Sequence, residues 1–293
     1  MAESADLRLQ FLRDVQNIDG GWGYFPGKES WLEPTAYAML ALSGDPSSQP
    51  AFDRGWRLMR SWRLPDGSWP ACARVREPHW STALCVILHA QRKVHDEAFT
   101  SGVNWLLGVT GTENSWLFRI ALKVRPGIIE LDPSFRAWPW RPGTSSWIEP
   151  TAHAVVALKY AAQAYGAGKV RGRIGDGERM LLERRCSDGG WNYGNRRVLG
   201  EDLPSYPETT ALALHGLQGN YSLDLRAPLA LARKLRAGTR SPLARAWLTL
   251  ALRDHSVEVA DRDPVPLSND VMIAAVETIG ATGTLKAPGG VHQ

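Results

Sequence analysis

A phrase written three times restricts what this chain can fold into. Residues 19–42 read DGGWGYFPGKESWLEPTAYAMLAL, residues 145–158 read SSWIEPTAHAVVAL, and residues 188–217 read DGGWNYGNRRVLGEDLPSYPETTALALHGL. A weaker copy, residues 66–90, keeps the Asp-Gly-Ser-Trp turn and the Thr-Ala helix start but has no glutamate directly before them. Each copy joins a turn or Trp-bearing loop to an apolar helix. A unit of this size cannot bury its own apolar face, so the copies must stack, and an array of helix pairs follows.

Helical spacing continues between the copies. Apolar periodicity and breaker residues predict helices over 7–16, 35–42, 52–62, 78–90, 97–107, 115–124, 150–165, 177–185, 207–217, 227–235, 242–252 and 268–279. No stretch alternates apolar and polar residues for long enough to make a strand. About twelve helices make six pairs of roughly 45–50 residues, within the range of long helical repeats. Helices after the Trp-bearing turns are apolar nearly all round, as in TAHAVVALKY, whereas intervening ones such as RGWRLMRSW carry charge. The first kind belongs inside and the second outside. The expected architecture is therefore all-α, an (α/α)6 toroid of inner and outer rings, with residues 1–293 forming one domain.

Composition narrows the function classes. The net charge is +4, and the arginines are scattered in short pairs without interleaved aromatics, which argues against nucleic acid. Cys72, Cys85 and Cys186 are odd in number and lack CxxC spacing, so a disulfide framework is not expected and a reducing, cytoplasmic setting is. The start, MAESADLRLQFLRDVQ, has no basic-then-apolar signal pattern, and nowhere do 18 apolar residues run together. Contact with a membrane surface remains open, but a spanning segment is not expected.

Gly-Gly-Trp turns followed by Pro-x-Thr-Ala helices resemble the repeats of squalene-hopene cyclases and protein prenyltransferase β subunits, the terpenoid-cyclase toroid superfamily. The resemblance covers nearly the whole chain. Class II terpene cyclases carry an Asp-x-Asp-Asp-Thr-Ala motif whose middle aspartate protonates the polyene. Alignment on Thr-Ala puts Glu33, Glu149 and Glu208 at that acid position, without the flanking aspartates. The resemblance implies an isoprenoid ligand and, because relatives complete their sites with a second domain or subunit, a partner protein or homo-oligomer. The zinc ligands of the prenyltransferases and the Asp-rich motifs of class I synthases have no counterpart, so no metal and no cofactor is expected.

Inner helices of a toroid run parallel, so Glu33, Glu149 and Glu208 are expected to crowd one rim. Carboxylates sharing a low-dielectric mouth raise one another's pKa, and a raised carboxyl can act as a general acid. Trp31, Trp147, Trp138 and Trp140 are read as walls of that mouth, able to stabilise a cation through their π faces. His153, one turn after Glu149, is read as a base or as an orienting partner of the acid. The competing reading makes each glutamate a helix-start residue that complements the dipole. Asp19, Asp66 and Asp188 read as turn formers, and Trp22, Trp69 and Trp191 as packing between repeats.

Three functions remain in play. The first is a terpene-cyclase-like protein that binds an apolar, isoprenoid-type ligand and performs acid-initiated cyclisation or isomerisation, with Glu149 as the acid. The second is a non-catalytic toroid that binds or scaffolds. The third is a carbohydrate-active (α/α)6 enzyme, which needs two carboxylates across an open cleft.

Overall fold

The computed structural model describes residues 2–116, 120, 134–259, 267–283 and 285–287. Eleven α-helices are found among them: α1 (Ala2–Asp14), α2 (Leu32–Leu42), α3 (Gln49–Ser61), α4 (Thr82–Gln91), α5 (Glu97–Gly108), α6 (Ile148–Tyr165), α7 (Arg171–Glu183), α8 (Pro207–Gly216), α9 (Arg226–Gly238), α10 (Pro242–Asp254) and α11 (Val271–Thr282). The helix expected at 115–124 falls largely outside the described residues. Two short strands, β1 (Arg197–Val198) and β2 (Glu201–Asp202), form a small hairpin that the sequence pattern did not announce. No helix among the described residues is long and apolar enough to cross a membrane.

Neighbour relations close a ring. Helix α2 packs on α4, α4 on α6, α6 on α8, α8 on α10, α10 on α11, and α11 back on α2. These six are the inner ring. In α4 every residue from Thr82 to His89 is buried, and α6 buries all positions from Pro150 to Ala162. Around them stand α1, α3, α5, α7 and α9, and α1 covers the junction of α11 with α2. The outer helices bury a stripe only, as in α3, where Ala51, Phe52, Gly55 and Met59 turn inward at helical spacing. The (α/α) toroid expected from the repeats is the observed fold.

Four repeats share one hydrogen-bonded construction. The turn tryptophans Trp22, Trp69, Trp138 and Trp191 are at most 2 % exposed. Their indole N–H groups donate to the carbonyls of Leu12, Met59, Leu106 and Leu181 on or at the end of the preceding outer helices, at 2.7, 2.8, 2.9 and 2.5 Å. Their backbone N–H groups donate to the hydroxyls of Thr35, Thr82, Thr151 and Thr210 on the next inner helix. Each Trp thus ties an outer helix to an inner one while satisfying buried polar groups. On the other side of Trp138 the backbone of α7 comes so close that a Cβ at Gly177 would lie 2.9 Å from the ring.

A second pattern links repeats laterally. Helices α2, α6 and α8 have no side-chain N-cap. Free N–H groups at the start of an inner helix are taken up by the loop of the next repeat. Leu32 donates to the Ala71 carbonyl, Trp80 to Trp140, Ile148 to Tyr193, and Val271 to Tyr24, at 2.8–3.0 Å. Every acceptor follows a turn Trp by two residues, and the last of these bonds joins the final inner helix to the first repeat. The result fixes the inner-helix N-termini against one another at one rim.

Candidate active site

Carboxyls gather at this rim. Glu33, Glu149 and Glu208 stand in the first turns of α2, α6 and α8, and Asp270 and Ser241 cap α11 and α10. All three glutamates are half-buried, so they lie at the edge of the closed core. Their surroundings differ. Glu208 Oε1 accepts from Ser241 Oγ at 3.1 Å, bridging α8 to α10. Glu33 Oε2 accepts from the Tyr24 hydroxyl at 2.6 Å. No described residue hydrogen-bonds the Glu149 carboxyl, whose backbone carbonyl accepts from His153.

These environments set the charge states. Burial pushes Glu149 up to about 8, and the charge of Glu33 pushes in the same direction. Burial also raises Glu33, the Tyr24 hydrogen bond draws it back, and Asp270 adds a further upward push. Tyr24 itself is held far above the ordinary phenol range, by burial first and then by Glu33. A carboxyl that loses water without gaining donors favours its neutral form. Burial and the charge of Glu33 thus both favour the neutral form of Glu149.

Beneath the rim lies an aromatic floor. Tyr37, Trp80, His153, His215 and Trp247 are at most 4 % exposed. The His153 ring lies 4.9 Å from Trp80, 5.8 Å from Trp247 and 6.2 Å from His215, and Tyr37 meets Trp247 edge-on at 5.6 Å. Trp80 stands two residues before Thr82, the slot that holds glutamate in the other repeats.

His153, read from the sequence as a base or an orienting partner of the acid, belongs to this floor. Its Nδ1–H donates to the Glu149 carbonyl at 3.0 Å, which leaves Nε2 as acceptor, and the Tyr37 hydroxyl fills that lone pair at 2.5 Å. Burial, and then the neighbouring His215, lowers its pKa to about 3, so the ring is neutral. It orients the backbone of Glu149, not the carboxyl. Tyr37→Phe strands Nε2 in the core and is expected to cost about 1–3 kcal/mol in equilibrium unfolding. Unchanged stability would contradict this pairing.

The four tryptophans divide. Trp31 is half-buried with its ring 6.1 Å from Tyr24. Trp147 is half-buried over Gly194, where a Cβ would lie 3.0 Å from the ring. Trp140 is half-buried and meets Trp80 edge-on at 5.5 Å. Trp138 is a correction: it is the buried turn Trp of its repeat, under Arg173 at 3.9 Å, and it belongs to the wall. Asp19, Asp66 and Asp188 accept from the backbone N–H two residues on, at 2.9–3.1 Å, as turn formers do. Sequence reasoning missed Tyr24 and Trp80, although their offsets from Trp22 and Thr82 marked them. A cleft of about 300 Å³ lined by Ser43, Phe52, Gln91, Arg92 and Tyr160 lies toward the inner-helix C-termini, away from the carboxyls.

No family model matches the chain. Part of it resembles the drimenyl diphosphate synthase of Streptantibioticus cattleyicolor, 46% identical over 61 residues, which are 20% of this chain and 11% of that protein. The drimenyl diphosphate synthase of Streptomyces showdoensis is 36% identical over 70 residues, 23% of this chain and 13% of that one. The matches thus span only a small part of these relatives. Among solved structures, the type II terpene cyclase MstE from Scytonema superposes with a TM-score of 0.58 at 18% identity, over 96% of this chain and 78% of that one. An α-1,6-mannanase of Salegentibacter sp. superposes at 0.63 with 9% identity, over 97% and 98%. Repeats, ring closure and these likenesses agree on the fold: the chain is an α/α toroid, similar in architecture to a type II terpene cyclase and to a mannanase.

Proposed function

We propose that the chain, as one toroid domain, binds an apolar isoprenoid-type ligand at the rim, and that Glu149 starts cyclisation or isomerisation as a general acid. The observation that carries this reading is the Glu149 carboxyl, free of donors among the described residues, set above an aromatic floor and pushed up to about 8 by burial. In the reaction the Glu149 O–H bond breaks and an alkene electron pair takes the proton. The resulting tertiary cation is attacked by the next double bond in cyclisation, and the last cation formed, or the first one in isomerisation, loses a neighbouring proton to water, so the ligand's composition is unchanged. The rings of Trp80, Trp140 and Trp31 offer π faces to that cation. The carboxylate left behind attracts it at short range.

MstE, which shares the fold, has been captured with geranylgeranyl dihydroxybenzoate. Likeness to a mannanase, together with the facing Glu33 and Glu149, favours a second reading, hydrolysis of a sugar chain. The floor weighs against it, since the polar atoms joining Tyr37 and His153 are already paired and offer a sugar little. Titration with geranylgeraniol and with mannotriose, followed by tryptophan fluorescence, separates the two. Saturable binding of the polyprenol alone is expected. Binding of mannotriose without the polyprenol would overturn the isoprenoid reading.

A further inference from the structure

Glu33 and Glu149 are the same residue type at the same place in two repeats, each two residues before the Thr that receives a turn Trp. The helix start that the two share does not decide which of the pair holds a proton. The asymmetry comes from the position two residues after the turn Trp, which is Tyr24, Ala71, Trp140 and Tyr193 in the four repeats. In the first repeat this residue reaches Glu33 with a hydroxyl at 2.6 Å. In the repeat of Glu149 it is Trp140, whose ring packs on Trp80 instead. In the repeat of Glu208 it is Tyr193, which is half exposed and packs beside Tyr206 at 5.5 Å.

We infer that Tyr24 is the positioning residue of this site, its hydroxyl making Glu33 the acceptor of the pair and so leaving the proton on Glu149. This inference rests on the acid reading of Glu149. A phenol that donates to a carboxylate stabilises the ionised form. The anion at Glu33 then disfavours a second anion across the rim. Other titratable groups face the pair from the neighbouring elements. Asp270 at the cap of α11 acts on Glu33, Tyr37 from α2 and Tyr24 feel Glu33 and then Glu149, and Tyr193 from the β1-side loop feels Glu208 and then Glu149. Tyr24 is also placed rigidly, because its own carbonyl accepts from Val271 at the ring closure and its ring lies beside Trp31.

The test is a carboxyl titration of protein labelled with carbon-13 at the glutamate side-chain carboxyl, read by NMR. Glu149→Gln and Glu33→Gln assign the two signals. In the unaltered protein the signal lost in Glu149→Gln is expected to titrate near 8. Tyr24→Phe keeps the ring and the backbone bond, and is expected to lower that midpoint by about one pH unit while raising that of Glu33. In the Glu33→Gln background, Tyr24→Phe is expected to leave the Glu149 midpoint where it is, because its route through Glu33 is gone. A merely structural role would not show that dependence. An unmoved Glu149 midpoint in Tyr24→Phe, or a Tyr24→Phe effect that survives in Glu33→Gln, would overturn the inference and leave the acid reading standing. A Glu149 signal that titrates in the ordinary carboxyl range of the unaltered protein would sink both.

Discussion

Glu149→Gln is expected to reduce turnover of a polyprenyl substrate by about 10²–10⁴-fold, the usual worth of a positioned acid, while the protein stays folded. The same substitution changes the pH dependence of stability. Burial raises the Glu149 pKa from the reference 4.5 to about 8, so the folded state holds this proton more tightly than the unfolded chain. The resulting stabilisation is complete below about pH 4.5 and is lost as pH rises through about 8. Relative to Glu149→Gln, the unaltered protein should therefore lose stability across that window, by roughly a few kcal/mol. Glu149→Gln should lack the loss, because glutamine does not titrate. If Glu149 were only a helix-start residue, its replacement would cost about 0.3–1 kcal/mol through the dipole and spare activity. Thermal melts from pH 4 to pH 9, beside an activity assay, distinguish the two outcomes.

Trp138→Ala is expected to destabilise the protein by roughly 3–5 kcal/mol, as removal of a large buried aromatic does. It empties the wall between α5, α6 and α7 and leaves the Leu106 carbonyl without its indole donor. Trp140→Ala, at the mouth, should cost far less in denaturant unfolding and show instead as weaker polyprenol binding. A Trp138→Ala protein of normal stability that had lost only ligand binding would restore Trp138 to the mouth.

The fold was legible because the repeats state it more than once. Ala-rich helices after each turn and charged helices between them sort into two rings by burial alone, and α4 and α3 show the two kinds. The rim followed from the same logic, since parallel inner helices bring Glu33, Glu149 and Glu208 to one end. What was not legible depends on contacts distant along the chain. Tyr37 and His153 lie 116 positions apart, and no local pattern shows that one fills the lone pair of the other. Trp138 was misplaced for a different reason. Its residue type fits a mouth as well as a wall, and only its offset of 13 residues from Thr151, equal to that of Trp22 from Thr35 and of Trp69 from Thr82, identifies it as structural. Tyr24 and Tyr193 occupy equivalent positions, yet only Tyr24 reaches a carboxyl, which depends on how the loop after β2 spaces Trp191 from Thr210.

The most direct measurement is incubation in deuterium oxide with squalene, geranylgeraniol and farnesyl diphosphate, with products read by mass spectrometry. A product of unchanged composition carrying one solvent deuteron, formed by the unaltered protein and absent with Glu149→Gln, is expected. Polyprenes returned unlabelled, beside cleavage of an α-1,6-linked mannan, would contradict acid-initiated isoprenoid chemistry and make the rim carboxyls those of a glycoside hydrolase.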